Sequence, residues 1–230
     1  MIPLKDLTPR RSAPIMTILL IVANTAVFLY QVSLSPRAGD ALVNSYGLVP
    51  LRIQYALAGA HHVTLAQALV PLFTCMFLHG GWMHIIGNMW FLWIFGGNVE
   101  DRFGSFSYLL FYLVCGLGSG ISQVLFSWGS RIPSVGASGA ISGVLGAYVV
   151  FFPGSRILTL VPLFIIWFTA RIPAFVFILL WFAAQFLSGL GSLGAVNTGG
   201  VAWWAHVGGF LIGAFIAMAT KSGGRAIEYG

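Results

Sequence analysis

Two polar residues in apolar surroundings carry the chemistry of this chain. "SVGASGAISG" (134–143) places the hydroxyl of Ser138 between small residues, and "AHVGGFLIG" (205–213) holds the one histidine of the last apolar run, His206. A serine hydroxyl is a weak nucleophile until an adjacent base takes its proton. A third cluster, "HIIGN", puts His84 and Asn88 at i and i+4 on one helix face. Both side chains can donate hydrogen bonds to a developing oxyanion, beside the Ser138 N–H. Packing explains parts of the same motifs. Gly139 with Gly143, and Gly209 with Gly213, are small-xxx-small pairs that let helices approach closely, and a lone Asn can serve as interhelical glue. The two readings coexist, because the glycines can pack while Ser138 reacts.

Other chemistries lack their residues. Asp6, Asp40, Glu100, Asp101 and Glu228 fall outside the apolar spans, so no carboxylate is expected at this depth for a triad, an aspartyl dyad or a proton relay. HExxH is absent, and a zinc site of histidines alone would lack the general-base Glu. No metal and no cofactor is expected. His79 is placed near the outer surface, and His61 and His62 are read as solvated loop residues.

The elements that position these residues must be membrane helices. The 230 residues are 58% hydrophobic and only 7% charged, whereas about a quarter of a soluble domain is charged. The net charge of +6 would suggest nucleic acid in a soluble protein. Here the basic residues sit in short connections between apolar runs, as topology signals do, so no nucleic-acid partner is expected. Cys75 and Cys115 are too few for a disulfide framework. No cleavable signal peptide is read at the start.

Six spans are expected, at 15–34, 82–97, 106–127, 136–152, 173–190 and 203–220. They form one unit (15–220) between a short cytoplasmic N-terminus (1–14) and a short cytoplasmic tail (221–230). With the N-terminus inside, Lys5, Arg10, Arg11, Arg102, Arg156, Arg171, Lys221 and Arg225 are cytoplasmic, and only Arg37, Arg52 and Arg131 face out. That balance satisfies the positive-inside rule. The stretch 157–170 is apolar but bracketed by Arg156 and Arg171. As a helix it would reach only about 21 Å, short of the roughly 30 Å hydrocarbon core. It is therefore read as an interfacial or shallow re-entrant segment. The long connection 35–80 is apolar enough to lie in the outer leaflet.

Depth ties the three clusters together. Ser138, His206 and His84 each stand fourteen positions before the inner end of their span, at Phe152, Thr220 and Asn98. Each therefore lies about 21 Å above the inner boundary and about 9 Å below the outer one. Pro133 and Gly136 oppose a helix on the descent from Arg131 to Ser138. Irregular backbone at that depth survives only where protein encloses it or water reaches it, which implies a wet cavity at Ser138.

At these residues the sequence resembles the rhomboid family of intramembrane serine proteases. "HGGWMHIIGNMWFLWIFGGNVEDRFG", "GASG" and "AHVGGFLIG" occur in order on the second, fourth and sixth spans. The resemblance implies an all-α membrane protein, a six-transmembrane-helix bundle with a long membrane-associated first loop. It implies Ser138 as nucleophile, His206 as general base, and His84 with Asn88 helping to stabilise the oxyanion. Its partners would be transmembrane protein substrates and membrane lipid. Cleavage would occur near the outer face, with the fifth helix and the first loop governing access. The setting would be a prokaryotic cell (inner) membrane, multi-pass, with both termini cytoplasmic. Two departures are visible. Many members carry a Trp-Arg pair in the first loop, where this chain reads "ALVP" before "FTCMFLHGG". Many also have an aromatic one turn after the serine, able to stack on the base, where Ser142 stands. Glu100 and Arg102 match a charged pair of the inner loop, read as structural. A silent relative that binds transmembrane clients is the competing function. A small transporter would call for intramembrane acids or paired broken helices, and neither is seen.

Overall fold

The computed structural model describes residues 1–60, 63–163, 165–192 and 201–221. His61, His62, Arg225 and Glu228 lie outside them. All six expected spans form helices: α1 (Ile15–Ser33), α5 (Trp82–Phe103), α6 (Ser105–Phe126), α7 (Ser138–Phe151), α8 (Ala174–Gly191) and α9 (Trp203–Lys221). The connection after α1 folds into three short helices, α2 (Pro36–Tyr46), α3 (Pro50–Leu57) and α4 (Leu65–Thr74), and a 3₁₀ turn at Cys75–Phe77. Helices α1, α6, α8 and α9 are each long and apolar enough to cross a membrane. Helix α5 meets that test only together with Leu65–Phe77, across a 74° bend. The chain is a multi-pass, helical membrane protein.

Helix α7 is the short one, at 14 residues. It sits at the centre, with Gly139 to Tyr148 buried without interruption. A helix of about 21 Å suffices there because protein, not lipid, surrounds it. Its packing depends on glycine. A Cβ on Gly209 would come within 3.0 Å of the Gly139 carbonyl, and one on Gly213 would do the same at Gly143. Gly146 meets the Phe210 carbonyl in the same way. Helices α7 and α9 therefore touch backbone to backbone along their length.

The end of the bundle that carries the sheet departs from the sequence reading in three places. The stretch 157–170 is a hairpin of strands β2 (Arg156–Leu163) and β3 (Ile166–Pro173), and β1 (Ile2–Asp6) adds antiparallel to β2. The β-branched and aromatic content of "RILTLVPL" and "IWFTARIP" suits strands better than helix. The pairing of Arg156 with Pro173 and of Leu158 with Arg171 leaves both arginines at the open end of the hairpin. The N-terminal segment is thus part of the fold, and Trp90 Nε1 donates to Pro3 O at 2.7 Å.

The second span runs two turns further than expected, through Glu100 to Phe103. Glu100 is almost fully buried and is not a loop residue. Its carboxylate accepts from Met16 N, Thr17 N and Thr17 Oγ1, each at 2.8 Å, and from Ser105 Oγ at 2.6 Å. It caps the start of α1, where free N–H groups favour an anion. Arg102 turns elsewhere, lying 5.4 Å above the Phe151 ring, so the two do not form the expected pair. Asp6 accepts from Tyr148 Oη at 2.7 Å and from Thr8 N at 2.9 Å, and also from Asn98 Nδ2.

Candidate active site

Ser138 is the first residue of α7. The chain reaches it through an irregular segment held by its neighbours: Ser134 exchanges backbone hydrogen bonds with Leu48, and Gly136 N donates to Cys75 O at 2.9 Å. Gly136 has φ +129, a conformation that side chains rarely adopt. A Cβ there would also lie 2.7 Å from His84 Nε2. Only glycine lets the descending chain pass the imidazole.

The shared depth read from the sequence has a structural counterpart. A cavity of about 510 Å³ is lined by His84, Asn88, Ser138, Trp181, Gln185 and His206, among others. His206 Nε2 lies 2.7 Å from Ser138 Oγ. The packing that achieves this is the α7–α9 seam: Gly209, one turn below His206, rests on Gly139, the residue after Ser138.

His84 Nδ1 accepts from Gly80 N at 3.2 Å. In a neutral ring the proton is then on Nε2, the atom beside Gly136. Asn88 is buried, and its Nδ2 has no hydrogen-bond partner among the described residues. A buried amide without an acceptor is costly, and this one lines a cavity large enough for several waters at about 30 Å³ each. The arrangement therefore offers two side-chain donors and a helix N-terminus around a hydroxyl that already touches a base.

His79, expected near the outer surface, is fully buried in protein, 5.2 Å from the His84 ring and 6.3 Å from Phe28. Gln31 of α1 grips its backbone from both sides, donating to His79 O at 2.7 Å and accepting from His79 N at 3.2 Å. Ser142 gives its hydroxyl to Ser138 O at 2.6 Å and leaves the imidazole alone.

Sequence reasoning missed Gln185. It sits on α8 and its Oε1 lies 2.6 Å from His206 Nδ1. The signal was available: Gln185 is the only amide or charged side chain in 173–190, and an intramembrane polar residue is by default a candidate for function.

Comparison with known proteins gives the family. The model of the rhomboid domain matches residues 66–222. RHOMBOID-like protein 4 of Arabidopsis thaliana is 32% identical over 213 residues, covering 84% of this chain and 49% of that protein. RHOMBOID-like protein 5 of the same plant is 34% identical over 146 residues, 63% of this chain and 42% of the relative. Rhomboid protease GluP of Bacillus subtilis (strain 168) is 45% identical over 76 residues, 33% of this chain and 14% of the relative. The chain thus spans half or less of these relatives' lengths. With most of its bundle inside the matched domain, the chain belongs to the rhomboid family.

Proposed function

We propose that the chain is an intramembrane serine endopeptidase that hydrolyses peptide bonds in or near the transmembrane segments of other proteins. The observation that carries this reading is the 2.7 Å contact between Ser138 Oγ and His206 Nε2 inside a polar-lined cavity. Ser138 Oγ attacks the scissile carbonyl while His206 Nε2 takes its proton. The oxyanion forms against the Ser138 N–H, His84 Nε2–H and Asn88 Nδ2, donors already in place before charge develops. His206 then passes the proton to the leaving amine. A water admitted to the cavity, deprotonated by the same nitrogen, releases the acyl group from Ser138.

The same reading places both termini on the cytoplasmic side of a prokaryotic cell membrane. The orientation is supported by the basic residues at the sheet end of the bundle, Arg156 and Arg171 of the hairpin among them. Access for the substrate falls to α8 and the helices of the first connection: α2 has no buried residue, and α8 buries only Ala174, Phe177, Ile178 and Gly189.

The test is incubation of the purified protein with a generic transmembrane substrate, beside Ser138→Ala. Cleavage by the parent and none by the variant is expected. Equal cleavage by both removes Ser138 as nucleophile. Substrate bound but uncut by the parent favours a silent client-binding protein.

A further inference from the structure

We infer that Gln185 is the positioning residue of His206, an inference that rests on the function proposed above. An imidazole can serve as base at Nε2 only if its proton is on Nδ1 and its plane is fixed. Neither Ser142 nor the two tryptophans beside His206 supply this. Ser142 is committed to Ser138 O. Trp181 lies 5.8 Å away at 36° and Trp203 lies 6.3 Å away at 89°, so both confine the ring without a hydrogen bond to Nδ1. Among the described residues, Gln185 is the polar group that meets Nδ1, at 2.6 Å.

With Oε1 facing the ring, the amide accepts from Nδ1–H. Nε2 keeps its lone pair for the Ser138 hydroxyl, 2.7 Å away. The opposite tautomer would point a lone pair at the Gln185 oxygen and a proton at Ser138, and would stop the chemistry. An amide suits this place. A carboxylate would fix the same tautomer but would add a charge to a desolvated site, at considerable cost. When Nε2 takes the serine proton, the Nδ1–H contact becomes charge-assisted and tightens. The interaction is therefore stronger in the transition state than in the bound substrate, which places its effect in kcat.

Helix α8 holds the amide through its aromatic stripe. Trp181 is one turn earlier on the same face, Phe182 stacks on Phe210 of α9 at 4.3 Å, and Phe186 meets Trp204 edge-on at 6.2 Å. The base on α9 is thus oriented from a different helix than the one that brings it the nucleophile.

The experiment compares Gln185→Met, Gln185→Glu and Ser138→Ala with the parent, reading kcat, KM, the pH–rate profile and the rate of fluorophosphonate labelling. Methionine keeps the length and removes the acceptor. Its kcat should fall about 10- to 100-fold, the range for a hydrogen bond to an ionised group, with KM within about twofold and labelling slowed in step. Glutamate restores the acceptor, so turnover should recover. The acidic limb of its profile should move to higher pH, because a carboxylate favours the imidazolium. A methionine variant with parental kcat, beside a silent Ser138→Ala, overturns the role of Gln185 alone. An active Ser138→Ala overturns the reading beneath it and this inference with it. Should the methionine variant fail to fold, a glutamate variant with an unmoved pH profile is equally decisive against Gln185.

Discussion

Replacing Gly209 by alanine adds one methyl group at the point where α9 rests on α7. That Cβ would lie closer than 3.0 Å to the oxygen and carbon of the Gly139 carbonyl. A C···O contact relaxes near 3.3–3.6 Å, so the seam must open by on the order of 1 Å. The obstacle is main chain, and no rotamer change can relieve it. Opening the seam one turn from His206 draws the imidazole away from Ser138 Oγ, now 2.7 Å distant. At about 3.6 Å the contact is no longer a hydrogen bond. A misplacement of about 1 Å in a reacting pair can cost about 10²-fold, and overpacking typically costs about 1–3 kcal/mol of stability. Gly209→Ala should therefore lose about two orders of magnitude in kcat and melt earlier in detergent, with the bulkier Gly209→Leu worse on both counts. Gly191→Ala is the control, because a Cβ there meets nothing within 4 Å among the described residues. Turnover of the transmembrane substrate and thermal unfolding are measured on the same preparations. If Gly209→Ala keeps parental turnover, the glycine seam does not set the serine–histidine distance.

Other expectations are separable from this one. Asn88→Ala should lower kcat by about 10²–10³ with little change in KM, since it removes one oxyanion donor; His84→Ala should behave similarly. A rise in KM at constant kcat would make the "HIIGN" pair a docking feature instead. Glu100→Gln keeps one acceptor where four donors converge, so the melting midpoint should drop while kcat of the folded protein stays put. Loss of activity at full stability would contradict the structural role of that carboxylate. Arg131→Cys and Arg156→Cys should react with a membrane-impermeant maleimide from opposite sides, because both native cysteines are buried. Labelling from one side would refute the topology.

The helices were legible because lipid imposes a simple rule on side chains: all six apolar runs are helices, five of them near their expected limits. Equal counts along three helices suggest a common level for Ser138, His206 and His84 because rise per residue is constant along a helix, and the three line one cavity. What escaped was whatever depends on partners distant in sequence. The end of α5 was placed at Gly97 because Glu100 and Asp101 read as water-facing, and nothing local announces that four donors of α1 and α6 will enclose Glu100. The hairpin at 157–170 was hidden because apolarity alone does not separate a strand from a short helix, and β1 is recognisable only through β2. Gln185 was passed over because a lone amide says nothing of its target until α8 and α9 are docked.

The glycines of the bundle also differ in what genetics could repair. At Gly116 a Cβ would strike Met76, and at Gly118 it would strike Ile212, both side chains that a second substitution can trim. Damage there has a conceivable suppressor elsewhere in the gene. At Gly209 and Gly213 the obstacle is the carbonyl of Gly139 or Gly143, and no codon change removes a carbonyl. A selection for revertants should therefore return second-site mutations for lesions at these two positions of α6, but only true reversion for lesions in the seam that joins Ser138 to His206.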